Sequence, residues 1–154
     1  SEADPRVPAR HPYVRPRRAV AMLTREKNAR LTQTAAGTPA GELLRRYWQP
    51  LCGTAELTTE TPKKRVTLLG EQLVVYRGGA GGYGALAERC AHRGCSLYYG
   101  FVEEDALRCP YHGWKFAPSG RVLEQPFEPA GSTFKDRVKQ RAYPVEELAG
   151  VVFA

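Results

Sequence analysis

Two short groups of residues constrain this chain more than anything else in it. The first reads Cys90-Ala91-His92-Arg93-Gly94-Cys95 and the second Cys109-Pro110-Tyr111-His112-Gly113-Trp114. Their pattern is C-x-H, sixteen residues, then C-x-x-H, with a glycine shortly after each pair. Thiolate and imidazole are the donors that soft and borderline metals take. For the four side chains to meet, two loops must fold toward each other. The rest of the chain then serves as a frame for that meeting.

The donor set suits two irons. Two thiolates, soft and negative, suit one ferric ion, and two imidazoles suit the second and raise its potential. The expectation is one 2Fe–2S cluster per chain, held by Cys90, His92, Cys109 and His112, with each loop giving one ligand to each iron. Zinc is the alternative, because a Cys₂His₂ set is chemically adequate for it. Zinc fingers space their first pair by about two to four residues and their histidines by about three to five. Here Ala91 alone separates Cys90 from His92, and there is no histidine pair at the finger spacing.

The other cysteines are Cys52 and Cys95. Four in a small chain could mean disulfides in a secreted protein. Two standing tightly beside histidines favour metal ligation in a reducing compartment instead, so the chain is read as cytoplasmic. Arg17-Arg18 precedes only the short run Ala19–Leu23, which Thr24-Arg25-Glu26 ends, too short for a twin-arginine export signal. No run approaches the roughly 18 apolar residues of a membrane span, so no membrane is expected.

The net charge of +7 raises the question of nucleic acid or an acidic partner. Residues 1–21 hold five arginines with Pro5, Pro8, Pro12 and Pro16, and read as a flexible, basic, proline-rich arm. Elsewhere the signs are mixed, and nucleic-acid binding is not expected. A basic face docking an acidic redox partner stays open.

Residues 22–50 read as a helical lead-in: Thr38 can cap, Pro39 fits the first helical position, and Glu42 falls in the first turn. Leu43, Leu44, Tyr47 and Trp48 form an apolar stripe expected to pack in the core, and Pro50 ends it. From 51 to 154 short strands take over. Val66–Leu69, Gln72–Tyr76, Tyr83–Ala87, Ala106–Arg108 and Trp114–Ala117 are candidates, with a later one in Arg137–Tyr143. Gly70-Glu71, Gly78–Gly82 and Ser119-Gly120 read as turns. The fold class is mainly β and antiparallel. Val151–Ala154 looks like a strand begun and not finished, which suggests a fragment of a longer polypeptide.

The two motifs, with Leu44–Pro50, Phe134–Val138 and Tyr143–Val145, resemble the Rieske iron–sulfur family. More narrowly they are similar to the oxygenase subunit of Rieske non-haem iron ring-hydroxylating oxygenases, nearest the phthalate dioxygenase group. The resemblance covers about residues 22–154. It implies an antiparallel β-sandwich with a two-loop cluster-binding subdomain, preceded by a short helical segment. It also implies one-electron transfer from a flavin or ferredoxin reductase to the oxygenase catalytic domain, which hydroxylates or demethylates aromatic compounds. A self-contained Rieske ferredoxin is the alternative; the leading helix near 38–50 favours the oxygenase.

The family comparison bears on single residues too. In respiratory relatives a cysteine at the Cys95 position pairs with one in the second loop, where this chain has Pro110 and Tyr111. Cys95 is therefore expected as a buried free thiol, and Cys52 as a packed one. High-potential relatives place hydroxyl donors where Trp114 and Phe116 stand here, so the potential should lie near the low end, roughly −150 mV. His92 and His112 should bind through one ring nitrogen and present the other outward. Arg93, Arg108 and Lys115 either shape docking or are ordinary solvated charges. A mononuclear iron site needs two more histidines and a carboxylate, and only His11 remains.

Overall fold

A computed structural model describes residues 22–154. The arm expected over 1–21 lies outside the described residues. The lead-in is two short helices rather than one. Helix α1 (Arg25–Thr32) is capped by Thr24 and buries no residue. Helix α2 (Pro39–Leu44) starts as the sequence indicates, with the Thr38 hydroxyl accepting from the Gly41 N–H and Pro39 in the first turn. Glu42 reaches back to accept from the Gly37 N–H at 2.8 Å.

The apolar stripe is not core. Tyr47 is 64% and Trp48 53% exposed. The helix stops before them, and Gln49 draws the chain away by exchanging backbone hydrogen bonds with Ala154 at 2.7 and 3.0 Å. Its side-chain amide donates back to the Leu44 carbonyl at 3.0 Å, so the last turn cannot continue.

Eleven strands are described: β1 (Pro50–Gly53), β2 (Lys63–Leu68), β3 (Glu71–Arg77), β4 (Tyr83–Ala87), β5 (Phe101–Glu103), β6 (Ala106–Arg108), β7 (Lys115–Phe116), β8 (Val122–Glu124), β9 (Ala142–Tyr143), β10 (Glu146–Leu148) and β11 (Val151–Phe153). They form three antiparallel sheets in the orders β1-β11-β10, β2-β3-β4-β9 and β5-β6-β7-β8. The chain is thus mainly β and antiparallel, as expected. Of Arg137–Tyr143 only the last two residues are strand. The segment 151–153 is the middle strand of its sheet, paired on both sides, not a bare edge. The β2–β3 hairpin turns through Leu69 and Gly70, both at positive φ (47° and 82°), which suits a two-residue loop between right-twisted strands.

Strand β3 divides the core. Side chains alternate across a strand, so Leu73 and Val75 enter one apolar cluster with Leu51, Leu57, Ala85 and Val152. Val74 and Tyr76 enter the other, with Leu86, Leu97, Leu107, Trp114 and Phe116. Burial on both faces explains an unbroken apolar run where a half-exposed strand would alternate. The second cluster also takes in Cys90 and Cys109, so the motif residues stand on the main core.

Candidate metal centre

The two motifs fold into hairpins of one form. The first opens and closes on the bridge between Arg89 and Ser96, the second on the β6–β7 pair Arg108 and Lys115. In each, the cysteine N–H donates to the carbonyl five residues on: Cys90 to Cys95 at 2.9 Å and Cys109 to Trp114 at 2.8 Å. In each, the glycine N–H donates back to the cysteine carbonyl: Gly94 to Cys90 at 2.8 Å and Gly113 to Cys109 at 3.2 Å. Both glycines sit at positive φ, 68° and 71°, where a side chain is strained. The repeat Arg-Cys-x-x-x-Gly was visible in the sequence, at 89–94 and 108–113, and carries this shared turn.

The hairpins bring all four expected ligand residues to one place. Cys90 and Cys109 are buried, free and part of one packed cluster. The His92 and His112 rings lie edge to face with centroids 4.8 Å apart. Both histidines are half-buried. The Trp114 indole stacks flat on His92 at 4.6 Å, the planes 2° apart. On the other side Tyr111 lies 3.8 Å from the His112 ring. Tyr111 and Phe127 are among the exposed large apolar residues.

Three observations fit this site to a metal cluster. First, His112 Nδ1 is buried and has no hydrogen-bond partner, which leaves a lone pair directed into the protein for a metal to use. Second, burial pushes the Cys90 thiol up to about 12, further raised by Cys109 and only partly offset by the backbone N–H groups of His92 and Arg93. A thiolate there is stable only when a metal takes the proton's place. Third, burial, then His112 and Arg93, hold the His92 pKa down, favouring the neutral imidazole that ligates. Among the described residues no three His, Cys, Asp or Glu converge on one ion. A binuclear cluster asks for only two protein donors at each iron.

Charges brace both hairpins from behind. Arg108 forks onto Glu103 at 2.6 and 2.8 Å, reaches Glu124 at 2.7 Å, and donates to the Gly113 carbonyl at 2.7 Å. Lys115 lies 3.5 Å from Glu103 and 3.6 Å from Glu124. Arg108 and Lys115 are thus held in a network of ion pairs, and Arg93 alone of the three is exposed. Behind the first hairpin the buried Glu88 accepts from Ser96 Oγ at 2.6 Å and pairs with Arg65 at 2.8 Å. Cys95 is half-buried and unpaired, and Cys52 is buried in the other cluster.

Residues 47–144 match the Rieske [2Fe-2S] domain. The chain is 52% identical over 124 residues to the phenoxybenzoate dioxygenase subunit alpha of Ectopseudomonas oleovorans, covering 80% of this chain and 30% of that protein. It is 43% identical over 135 residues to the phthalate 4,5-dioxygenase oxygenase subunit of Pseudomonas putida, covering 86% and 30%. Among solved structures, Pseudomonas putida CBB5 NdmA superposes with a TM-score of 0.65 at 36% identity, over 73% of this chain and 34% of that one. The chain spans about a third of the length of these relatives.

Proposed function

The chain belongs to the Rieske [2Fe-2S] domain family, and from that membership we propose that Cys90 and Cys109 hold one iron while His92 and His112 hold the other. The observation that carries this assignment is the pair of like hairpins, which sets two buried thiols beside two imidazoles 4.8 Å apart. When bound, such a cluster takes up and returns one electron at a time. The protein's own part is to position and tune. Trp114 fixes the plane of His92. The backbone N–H groups of His92 and Arg93 favour the Cys90 thiolate against burial. Neither Trp114 nor Phe116 has a hydroxyl to donate, which supports a potential near the low end, roughly −150 mV.

Family and exposure support one electron route. A flavin or ferredoxin reductase is the donor, and the acceptor is a mononuclear iron in an oxygenase catalytic domain outside these residues. The half-buried histidines and the exposed Tyr111 and Phe127 beside them mark the contact face. The phenoxybenzoate and phthalate relatives are named as dioxygenase subunits, which favours this role over that of a self-contained Rieske ferredoxin. Unpaired Cys52 and Cys95 suit a reducing, cytoplasmic setting. Among the described residues no helix is long and apolar enough to cross a membrane.

The test is anaerobic reconstitution followed by iron and sulfide analysis. Two irons, two labile sulfides and a red-brown colour per chain are expected. A colourless protein holding stoichiometric zinc overturns the assignment. His112→Cys should convert the spectrum toward an all-cysteine cluster or abolish it; an unchanged spectrum removes His112 from the ligand set.

A further inference from the structure

One buried side chain grips the backbone on both sides of Cys90. Gln140 is 1% exposed. Its Oε1 accepts from the Ala91 N–H at 2.7 Å, and its Nε2 donates to the carbonyls of Ala87 at 2.8 Å and Arg89 at 3.0 Å. The setting explains why a side chain is needed. Strands β4 and β9 pair at Ala85 with Tyr143 and Leu86 with Ala142, and the Ala87 N–H still reaches the Arg141 carbonyl at 2.9 Å. Past that point the chain leaves the ladder to form the first hairpin. The carboxamide of Gln140, an acceptor and two donors in one plane like a peptide group, continues the ladder through the bend.

Gln140 is itself held in place. Its N–H donates to the Gly120 carbonyl at 2.9 Å. A Cβ on Gly120, which has φ +80°, would lie 2.0 Å from the Gln140 carbonyl oxygen, so the turn before β8 must have glycine there for the two chains to approach. Arg121 bridges to Lys139 alongside. The grip on residues 87–91 is thus anchored on a second part of the fold.

We infer that Gln140 is a positioning residue for the cluster: its carboxamide sets the backbone path from Ala87 to Ala91 and with it the placement of the Cys90 sulfur and the His92 ring. The inference rests on the ligand assignment proposed above. Only glutamine meets the geometry. Glutamate keeps the acceptor and loses both donors, leucine keeps much of the bulk and offers neither, and asparagine is a methylene short.

The experiment compares Gln140→Leu and Gln140→Glu with the parent chain, each loaded with iron and sulfide. Leu57→Ala is the control, because Leu57 is fully buried in the other core cluster. Three quantities are read per loaded chain: the EPR line positions of the reduced protein, the midpoint potential, and the rate of iron loss to a chelator. Gln140→Leu should shift the lines and the potential and speed iron loss about tenfold, the low end of what outer-shell partners of a metal site contribute. Gln140→Glu should fall between it and the parent. Leu57→Ala should lower the melting temperature and leave all three readings at parent values. Should Gln140→Leu not fold, Gln140→Glu decides alone. Parent-like readings in the Gln140 variants, or equal shifts in Leu57→Ala, overturn the inference while the ligand assignment stands. A parent chain without the signal of a histidine-ligated cluster removes both.

Discussion

Trp114 shows how much one side chain does at the centre. It is buried against Phe116 and Phe134, with ring centroids 6.3 and 6.0 Å away, while its face covers His92. Trp114→Ala should cost about 3–5 kcal/mol by chemical denaturation, the range for emptying a large aromatic site. Trp114→Phe should lose much less, since a ring still covers the imidazole. The cysteines make a sharper contrast. Cys90→Ser should abolish iron loading, because a buried hydroxyl is a poor substitute for a thiolate ligand, whereas Cys95→Ser should load fully; iron content per chain checks both. The four proposed ligand positions could be picked out in the sequence because thiol and imidazole donors show in residue type and spacing. Gln140 could not be, because its partners are backbone atoms 49 to 53 positions away. No local pattern distinguishes such a glutamine from a solvated one. Arg108 hid for the same reason: its charge was plain, but its four acceptor contacts depend on where β5, β7 and β8 end.

At the scale of elements, Glu71 ties three of them together. Its carboxylate accepts from Arg45 beyond α2 at 2.5 Å, from Arg141 at 2.9 Å, and from the Tyr143 hydroxyl of β9. Arg45 also donates to the Leu69 carbonyl at 2.8 Å, so the lead-in is fastened to the β2–β3 turn. The Tyr143 hydroxyl, then Arg141 and Arg45, hold the Glu71 carboxyl below the usual range, against some opposition from burial. A carboxylate whose folded pKa is depressed contributes stability above its unfolded pKa, about 4.3, and that contribution disappears as pH falls through the folded value. Glu71→Gln should therefore lower the melting temperature near neutral pH, and the gap from the parent should close on acidification toward pH 3. Arg108→Lys tests the second tie. Lysine keeps the charge and loses the fork that spans Glu103, Glu124 and the Gly113 carbonyl, so a loss of about 1–3 kcal/mol is expected in denaturant titration. The capped start of α2 and the longer strands could be read from local signals. Strands β5, β8 and β10 are three residues each, too short to show a period, and exist because a neighbour pairs with them. Tyr47 and Trp48 were misread as core because helical spacing says which residues share a face, not whether this chain supplies anything to cover it.

At the scale of the whole molecule, the histidine count limits what the chain can do by itself. Oxygenation of the kind its relatives' names describe needs a place for O₂ and substrate to meet a metal with open coordination positions. A mononuclear iron of that type takes two histidines and a carboxylate. The sequence holds His11, His92 and His112, and the proposed cluster uses two. One histidine cannot supply two ligands, whatever the path of the residues around it. The described cavities do not alter this: the pocket between α1 and α2 is lined by Leu23, Leu31, Leu43 and Leu44 with Lys27 and Arg30, and contains no metal donor of the required kind. The 154 residues should accordingly carry electrons without oxygenating a substrate. Loaded with iron and sulfide, given a reductase and a one-electron acceptor such as ferricyanide or cytochrome c, the chain should cycle between its two oxidation states. Given the same reductase, O₂ and an aromatic acid or aryl ether, it should consume reducing equivalents only at the background rate of autoxidation and form no hydroxylated or demethylated product. Product analysis by chromatography decides the matter. Turnover by this chain alone would mean that O₂ is activated without the iron site the count rules out, and the relay role would fall with it.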